Sequence, residues 1–516
     1  MCSTKQSEEF NTASRSVRPG LIASGISSTV AYTYGVAGLF WYAAGATVQI
    51  LMFSILACKV KQNAPRCHTF LEIIYAGYGR FAHRVFMLFA FLTNILVGSQ
   101  LLLGGSTVVT SFAEMNIYAA IFLILTCVCA YVILGGLHAT FLCDYSHTLI
   151  LMIIMLYFMF NAYATNDLIG FPGSMYDLLE KATTQRPIAG NEDGSYLTLK
   201  SNFGLVFGVI QLCSGSGTVF LDQAYWQRAV ASRPTTAVKA YILGAAYATS
   251  TLLGQGGAVA LLIVLLMAVT SCASAELIAV SSLLTFDVYK AYIQPKATAK
   301  QLIFVSHVMI CVFGVTMVVF ACIWNAASIN LGWLFLVMGL LIGGAVFPTA
   351  FAINWRGQTC IGALSGCLTV LAAGLIAWLT TAKHYYGEVT KTTNIPAKPD
   401  HDHLQTVQAE EKALRIEIGA TDDRKSLRGA FILACWVSFI LTFIMDFLTS
   451  MLMFFSHYIF SKGFFTGCVV VSFIWVFCSG FISTVLPIWE TREFFVELWR
   501  KIPADLNGQG KERGSL

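Results

Sequence analysis

The sequence predicts an all-α polytopic membrane protein, and three observations carry that prediction. Of the 516 residues, 57% are hydrophobic and only 11% are charged, whereas a soluble domain of this length needs far more charge to cover its surface. The mean hydropathy is correspondingly high, at +0.70. About eleven apolar segments are long enough to cross a bilayer as helices, and glycine is frequent within them, as expected where membrane helices pack closely.

The candidate spans follow one another along the chain. Residues 1–19 are polar and lack the charged-then-apolar pattern of a cleavable signal peptide. The 15 cysteines lie mostly inside apolar runs without CxxC pairing. This favours a role as small buried hydrophobic residues over one as disulfide partners or zinc ligands.

The approximate bounds of the predicted spans are 35–58, 85–109, 117–137, 143–164, 202–220, 254–283, 301–324, 330–354, 358–382, 429–455 and 464–488.

Lysines and arginines in the loops predict the orientation, but the expected alternation fails. The net charge of +5 is spread over the loops and does not indicate a nucleic-acid partner. Loops 59–84 and 221–239 are basic and predicted to be cytoplasmic, and the acidic loop 165–201 is predicted to be external. Loop 284–300 is also basic and is therefore predicted to be cytoplasmic. Two spans are needed between two cytoplasmic loops, but only one fits between 221–239 and 284–300. The basic residues at both ends of the chain conflict with the number of spans in the same way, which predicts that spans required by the architecture are missing.

The apolar run at 254–290 carries the most informative polar residues. The carboxylate of Glu276 follows a cluster of hydroxyl and thiol side chains within it. Polar groups are costly in hydrocarbon, and they usually face a bundle interior, a cavity or an ion path. The run therefore favours a transporter or a channel. The members of the cluster are Thr270, Ser271, Cys272 and Ser274.

Several motifs carry a resemblance to a known family. They include GLFWYAAGATVQ (38–49), HTFLEI (68–73), GTVFLDQAYWQRAVASRP (217–234), MAVTSCASAELIAVSSLLTFDVYKAYIQP (267–295) and INLGWLFLVMGLLIGGAVFPTAF (329–351). In this order they resemble the urea permeases of fungi and plants, a branch of the sodium/solute symporter family. The resemblance covers roughly residues 8–390 and is weak beyond about residue 400.

The resemblance implies a fold of two inverted five-helix repeats, in which broken helices hold substrate and ion at the midplane. The broken helices are then a stub near 20–34 and the helix around 202–220, where SGSGTVF (214–220) is a Gly/Ser-rich interruption. Close packing of a small-residue face is the alternative interpretation of that stretch. The family usually carries Asn-Phe where this chain has Gly215-Ser216.

The resemblance also divides the chain into regions. The family's first core helix is about twice as long as the stub Leu21–Tyr32, and a span is missing in each of two places where charge alternation fails. The sequence HDH at 401–403 lies in a charged linker, where a solvated loop is favoured over a metal site. The predicted regions are a cytoplasmic tail (1–19), a transporter core (20–390, with the truncated first helix and a missing span near 244–253), a polar linker (391–428), C-terminal spans (429–490) and a C-terminal tail (491–516).

By resemblance, the coupling ion is H⁺, with Na⁺ as the weaker alternative. Cys272 places a thiol, which is a poor sodium ligand, where sodium symporters use a hydroxyl. Glu276 is the candidate proton carrier, and a structural hydrogen bond between helices is its alternative role. Ser271 and Thr270 have the alternative of bonding back to the preceding helical turn. The positions that match the family's sodium ligands are Ala23, Ile26, Ala268, Ser271 and Cys272.

A site for urea, which is small, planar and neutral, needs a few convergent polar groups and an aromatic wall. Trp41 and Tyr42 could supply the wall; Tyr225 and Trp226 are predicted as an interfacial belt, with the wall as their alternative role. A polar exit is predicted at Asp222, Gln223 and Arg228. Thr93 and Asn94 are expected to bridge helices, with lining of the pathway as their alternative role. The candidate substrate-binding residues are Trp41, Gln211, Gly215, Ser216, Gly217 and Thr218.

The resemblance implies proton-driven secondary active uptake of urea, or of polyamines, across a plasma membrane. It implies no covalent chemistry, and therefore no enzyme, cofactor or bound metal. The expected partners are the solute and the lipid bilayer. Two alternatives stay open: a non-transporting relative, either a sensor or the product of an incomplete gene, and a symporter of another small solute. Gly215-Ser216 motivates the latter because it changes the predicted binding stretch.

Overall fold

The computed structural model describes residues 33–64, 67–160, 163–164, 169–231, 258–329, 331–355, 357–386, 424–443, 448 and 450–490. Over these residues the chain is helical, with two isolated β-bridges and no strand. The predictions for the two tails, the first core helix with Ala23 and Ile26, the missing span near 244–253 and most of the linker lie outside the described residues.

The helices of the described part are numbered in chain order. They are α1 (Val36–Asn63), α2 (Phe70–Ala113), α3 (Ile117–Phe160), α4 (Pro172–Gln185), α5 (Asn202–Leu221), α6 (Gln223–Ala231), α7 (Ala258–Ser282), α8 (Ala299–Ala326), α9 (Leu331–Ile342), α10 (Val346–Asn354), α11 (Cys360–Tyr386), α12 (Arg424–Thr442), α13 (Leu452–Phe455) and α14 (Lys462–Glu490). A π-helical segment, Leu283–Ile293, extends α7, and single 3₁₀ turns lie at Glu192–Gly194 and Gly343–Ala345.

Among the described residues, 8 helices are long and apolar enough to cross a membrane, which confirms the predicted all-α polytopic class. They coincide with all the predicted spans except 143–164, 429–455 and 464–488. Residues 143–160 continue α3 beyond a kink at Gly136. The last two predicted spans contain shorter apolar helices, Phe431–Ile440 and Lys462–Ile474.

Helix α2 begins at Phe70, so the loop predicted at 59–84 is helical over much of its length. The local sequence explains the early start. Thr69 Oγ1 accepts a hydrogen bond from the Glu72 amide at 3.2 Å, and Glu72 Oε2 accepts one from the His68 amide at 2.8 Å. Thr69 thus caps the helix by satisfying an amide of its first turn, and Glu72 pairs the amide of the residue before the cap.

Helices α1 and α5 pack more extensively on each other than any other pair, and glycines allow their close approach. A Cβ added at Gly45 would lie 2.7 Å from the carbonyl oxygen of Gly208. A Cβ added at Gly208 would lie 2.9 Å from the carbonyl oxygen of Trp41. Small residues let membrane helices pack backbone to backbone, so the small-residue face of α5 does serve close packing.

Helix α7 lies at the centre of the bundle, against α2, α3 and α8. The outer helices expose large apolar side chains, such as Phe304 (68% exposed) and Ile361 (80% exposed). Hydrocarbon is the solvent in which such surfaces are stable. The architecture thus turns apolar faces outward and brings α2, α5, α6 and α7 together in the interior.

We expect Gly208→Ala to destabilise the protein, because the added methyl would press on Trp41. Overpacking of this kind typically costs about 1–3 kcal/mol. Thermal unfolding of the detergent-solubilised protein measures the effect. Gly467→Ala is the matched control, since nothing lies within 4 Å of its added Cβ. Equal unfolding temperatures for the two variants would show that the α1–α5 contact is not tight.

Candidate functional site

A break between α5 and α6 at Asp222 organises the site. Asp222 has an extended backbone (φ −79°, ψ 120°), and its Oδ1 accepts a hydrogen bond from the Ala224 amide at 2.6 Å. A side-chain acceptor of this kind caps the start of α6. The sequence predicted the interruption within 214–220, but α5 is helical through Leu221, so the predicted position was wrong by a few residues.

The hydroxyls of the predicted interruption bond within the continuous helix. Ser216 Oγ donates to the Leu212 carbonyl at 2.5 Å, and Thr218 Oγ1 donates to the Ser214 carbonyl at 3.2 Å. Both bonds run one turn back along the same helix. These two predicted substrate ligands therefore bond within α5.

Two buried carboxylates and one amide meet where α2, α6 and α7 converge. Asn94 Nδ2 donates to Asp222 Oδ1 at 2.7 Å and to Glu276 Oε2 at 2.9 Å. The side chains are at most 3% exposed. Asn94 Oδ1 has no hydrogen-bond partner among the described residues. The predicted bridging role of Asn94 is observed, and the structural alternative for Glu276 is present as a hydrogen bond between helices.

A second buried network surrounds Ser271. Its hydroxyl donates to Asp144 Oδ1, and Arg228 Nη2 donates to Asp144 Oδ2 at 2.7 Å. This network links α3, α6 and α7. Ser271 thus bonds across helices and not to the preceding turn. Arg228, predicted at a polar exit, is 7% exposed and lies inside the bundle.

Three neighbours of Ser271 on α7 complete this stretch: Ala268 and Cys272, which were also matched to sodium ligands, and Thr270, which was not. Cys272 is buried (5% exposed). Thr270 Oγ1 donates back to the Met267 carbonyl at 3.1 Å, as its alternative interpretation predicted. The backbone of Ala268 lies in α7.

The glycines of the predicted substrate stretch face neighbouring helices. A Cβ added at Gly217 would lie 2.7 Å from Ile342 Cγ1 on α9. A Cβ added at Gly215 would collide with the side-chain amide of Gln49 on α1. Gln49 ends the motif GLFWYAAGATVQ, but sequence reasoning did not select it. A polar residue in an otherwise apolar helix was the available signal.

Two other predicted ligands occupy different environments. Gln211 is 5% exposed, and its Oε1 has no hydrogen-bond partner in the described part of the chain. Trp41 Nε1 donates to the Leu199 carbonyl at 3.1 Å, and its ring packs edge-on against Phe454. The indole of Trp41 therefore fixes α1 to the segment before α5.

The predicted interfacial position of Trp226 was wrong. Its side chain is 1% exposed, and its ring lies 4.6 Å from that of Phe53 and 5.7 Å from that of Phe70. Its Nε1 donates to the Phe220 carbonyl at 2.9 Å, across the helix break. A large ring with one satisfied donor is stable in a core, and here it packs beneath the break.

A further cluster, which sequence reasoning missed, ties α2 to the π-helical segment through the buried side chains of His83 and Asp287. His83 Nε2 lies 3.0 Å from Asp287 Oδ1, and its Nδ1 lies 2.8 Å from the Tyr292 hydroxyl. Residues more than 200 positions apart thus meet, and no local pattern indicates their contact.

The chain is similar to known proteins along most of its length. The Sodium:solute symporter family profile matches residues 22–254 and 248–369. A curated relative from Schizosaccharomyces pombe, "Probable urea active transporter 1", is 36% identical over 98% of this chain and 88% of its own length. "Urea-proton symporter DUR3" from Oryza sativa subsp. japonica is 41% identical over 75% of this chain and 62% of its own length.

A solved structure aligns more weakly. It is a Na⁺-coupled sialic acid symporter in a substrate-bound outward-open state, with 14% identity and a TM-score of 0.49, covering 72% of this chain and 92% of that chain. The family match and the curated relatives carry the assignment without it. This chain, an integral membrane transporter and not an enzyme, belongs to the sodium:solute symporter family.

Proposed function

We propose that this protein is a proton-coupled urea symporter of the plasma membrane. The names of the relatives, urea active transporter and urea-proton symporter, support the substrate and the ion. The observation that carries the coupling ion is the pair of buried carboxylates, Asp222 and Glu276, joined by the Asn94 amide. The two carboxylates lie beside the break between α5 and α6, and transporters of this kind hold their ligands at such breaks.

The carboxylate pair suits a proton better than a fixed charge. Two adjacent carboxylates in an apolar interior strongly disfavour being ionised together. A proton taken up between Asp222 and Glu276 removes one negative charge, and each of the two N–H groups of Asn94 still has an acceptor. Glu276 lies on α7 and Asp222 lies at the α5–α6 break. Binding or release of the shared proton can therefore favour one arrangement of these helices over another. Substrate and proton are coupled when both stabilise the same arrangement.

The surroundings of Ser271 argue against sodium. Its hydroxyl donates to Asp144, and the guanidinium of Arg228 neutralises the carboxylate that could otherwise attract a cation. Cys272 offers only a soft sulfur ligand. We therefore expect transport to be independent of sodium.

Uptake of labelled urea into proteoliposomes tests the proposal. With acid outside and a neutral interior, the wild type should accumulate urea above the external concentration. A protonophore should abolish the accumulation, and replacing Na⁺ by choline should not. Binding of urea without uptake would instead indicate a sensor, and neither binding nor uptake would indicate an inert relative. Either result would overturn the proposal.

We expect Glu276→Gln to abolish proton-driven accumulation. The glutamine oxygen can still accept from Asn94, so the helix contact persists, but the side chain no longer exchanges a proton. Uptake should lose its rise at acid external pH, whereas exchange of labelled for unlabelled urea should continue. Glu192→Gln, at an exposed pair with His457, is the control and should behave like the wild type. Accumulation by Glu276→Gln that still follows the proton gradient would contradict this role.

We expect Arg228→Leu to destabilise the protein, because it leaves the buried Asp144 carboxylate without the positive charge that balances it. Breaking a buried pair typically costs about 3–5 kcal/mol. The double variant Asp144→Leu/Arg228→Leu should recover much of this loss. Lys462→Leu, which breaks an exposed pair with Asp177, should cost about 1 kcal/mol or less. Thermal unfolding of the purified variants is the measurement, and equal losses for the two single variants would refute the difference.

A further inference from the structure

Two buried amide oxygens on the α1–α5 interface lack hydrogen-bond partners within the described part of the chain. Gln49 is 4% exposed and Gln211 is 5% exposed. Neither Oε1 atom has a hydrogen-bond partner among the described residues. Buried polar atoms without partners are rare in folded proteins, and each calls for an explanation. Here two of the same chemical kind occur in one interface.

The packing of the two helices places these amides on adjacent turns. A Cβ added at Gly45 would lie 3.4 Å from Gln211 Cβ. One turn further along each helix, a Cβ added at Gly215 would collide with the Gln49 amide. Each glutamine therefore lies opposite a glycine of the partner helix. Four residues of helix rise about 6 Å, so the two contacts are about one helical turn apart.

An aromatic pair adjoins the glutamines. The rings of Tyr42 and Phe207 are stacked, with centroids 6.0 Å apart and an interplanar angle of 27°. Phe207 lies one turn before Gln211 on α5. The interface thus contains an aromatic layer followed by two amide layers, the combination of apolar wall and few polar groups that small-molecule sites use.

We propose that Gln49 and Gln211 form the solute site, and that their oxygens accept hydrogen bonds from the two NH₂ groups of a urea-like solute. This inference rests on the proposed function and assigns its specificity to two residues. Carbonyl oxygens are acceptors only, so they select solutes that present N–H donors. A planar solute with NH₂ groups on both sides can satisfy both oxygens, whereas acetamide, which has a methyl group in place of one NH₂, satisfies only one.

Gly215 contributes to this specificity because its missing side chain leaves room for the Gln49 amide. The Gln49 amide occupies the volume that any side chain at position 215 would need. Gly215→Ala should therefore displace the amide without removing it. This variant tests the position of Gln49 independently of its chemical identity.

The experiment compares urea with acetamide. Inhibition of labelled urea uptake in proteoliposomes, and displacement of labelled urea from the purified protein, give the ratio of affinities for the two solutes. Gln49→Leu and Gln49→Met should each lower the urea-over-acetamide preference about ten-fold, which is the usual value of one hydrogen bond near 1.4 kcal/mol. Gln211→Leu should do the same, and Gly215→Ala should lower the preference in the same direction.

Two controls separate specificity from folding. Gln100→Leu removes a half-buried glutamine amide whose Nε2 contacts Met338 Sδ at 3.9 Å, and Gly314→Ala adds a methyl facing Cys129 on another pair of helices. Both should keep the wild-type preference. Gel filtration and thermal unfolding show which variants are folded. Of the glutamine variants, Gln49→Met is expected to disturb the packing least.

The outcomes distinguish this inference from the proposed function. Wild-type uptake of urea with an unchanged preference in all folded glutamine variants would overturn the site and leave urea transport standing. Urea binding that is lost in the variants, without wild-type uptake, would support the site and overturn symport. Absence of both binding and uptake in the wild type would overturn both.

Discussion

The pairing of polar groups inside an apolar bundle is the constraint on which the rest of this structure depends. Hydrocarbon offers no partners to a backbone amide or a carboxylate. The break at Asp222 is possible because its carboxylate caps α6 and the Asn94 amide bonds both that carboxylate and Glu276. Removing the amide would leave two carboxylates without their common donor. One side chain on α2 therefore holds three helices in a geometry that lets two acidic groups share a buried environment.

The same constraint separates structural from functional polar groups. Asp144 and Arg228 satisfy each other in a buried ion pair, which locks α3 to α6. Gln49 and Gln211, by contrast, keep buried oxygens without partners among the described residues. Glycines opposite them bring α1 and α5 together closely, so the packing that stabilises the bundle also creates the amide pair. Stability and specificity thus depend on the same interface.

The site could be predicted only in part, and the failures have physical causes. Glu276 was recognisable because a carboxylate in an apolar run is costly. Ser216 and Thr218 were selected as ligands, but their hydroxyls have a local alternative, the carbonyl one turn earlier, which sequence cannot weigh against a ligand. Trp226 resembled an interfacial aromatic in sequence, yet the rings of Phe53 and Phe70 enclose it.

The sequence by itself determined the membrane class, most of the spans and the family, because hydropathy and local motifs are properties of contiguous residues. It also indicated that 217–234 and 267–295 carry the polar chemistry. Only the tertiary structure decided which polar groups meet: Asn94 with Glu276 over 182 positions, and the Gln49 amide with Gly215. Such contacts depend on how helices pack, and helix packing is set by surfaces that no single stretch of sequence contains.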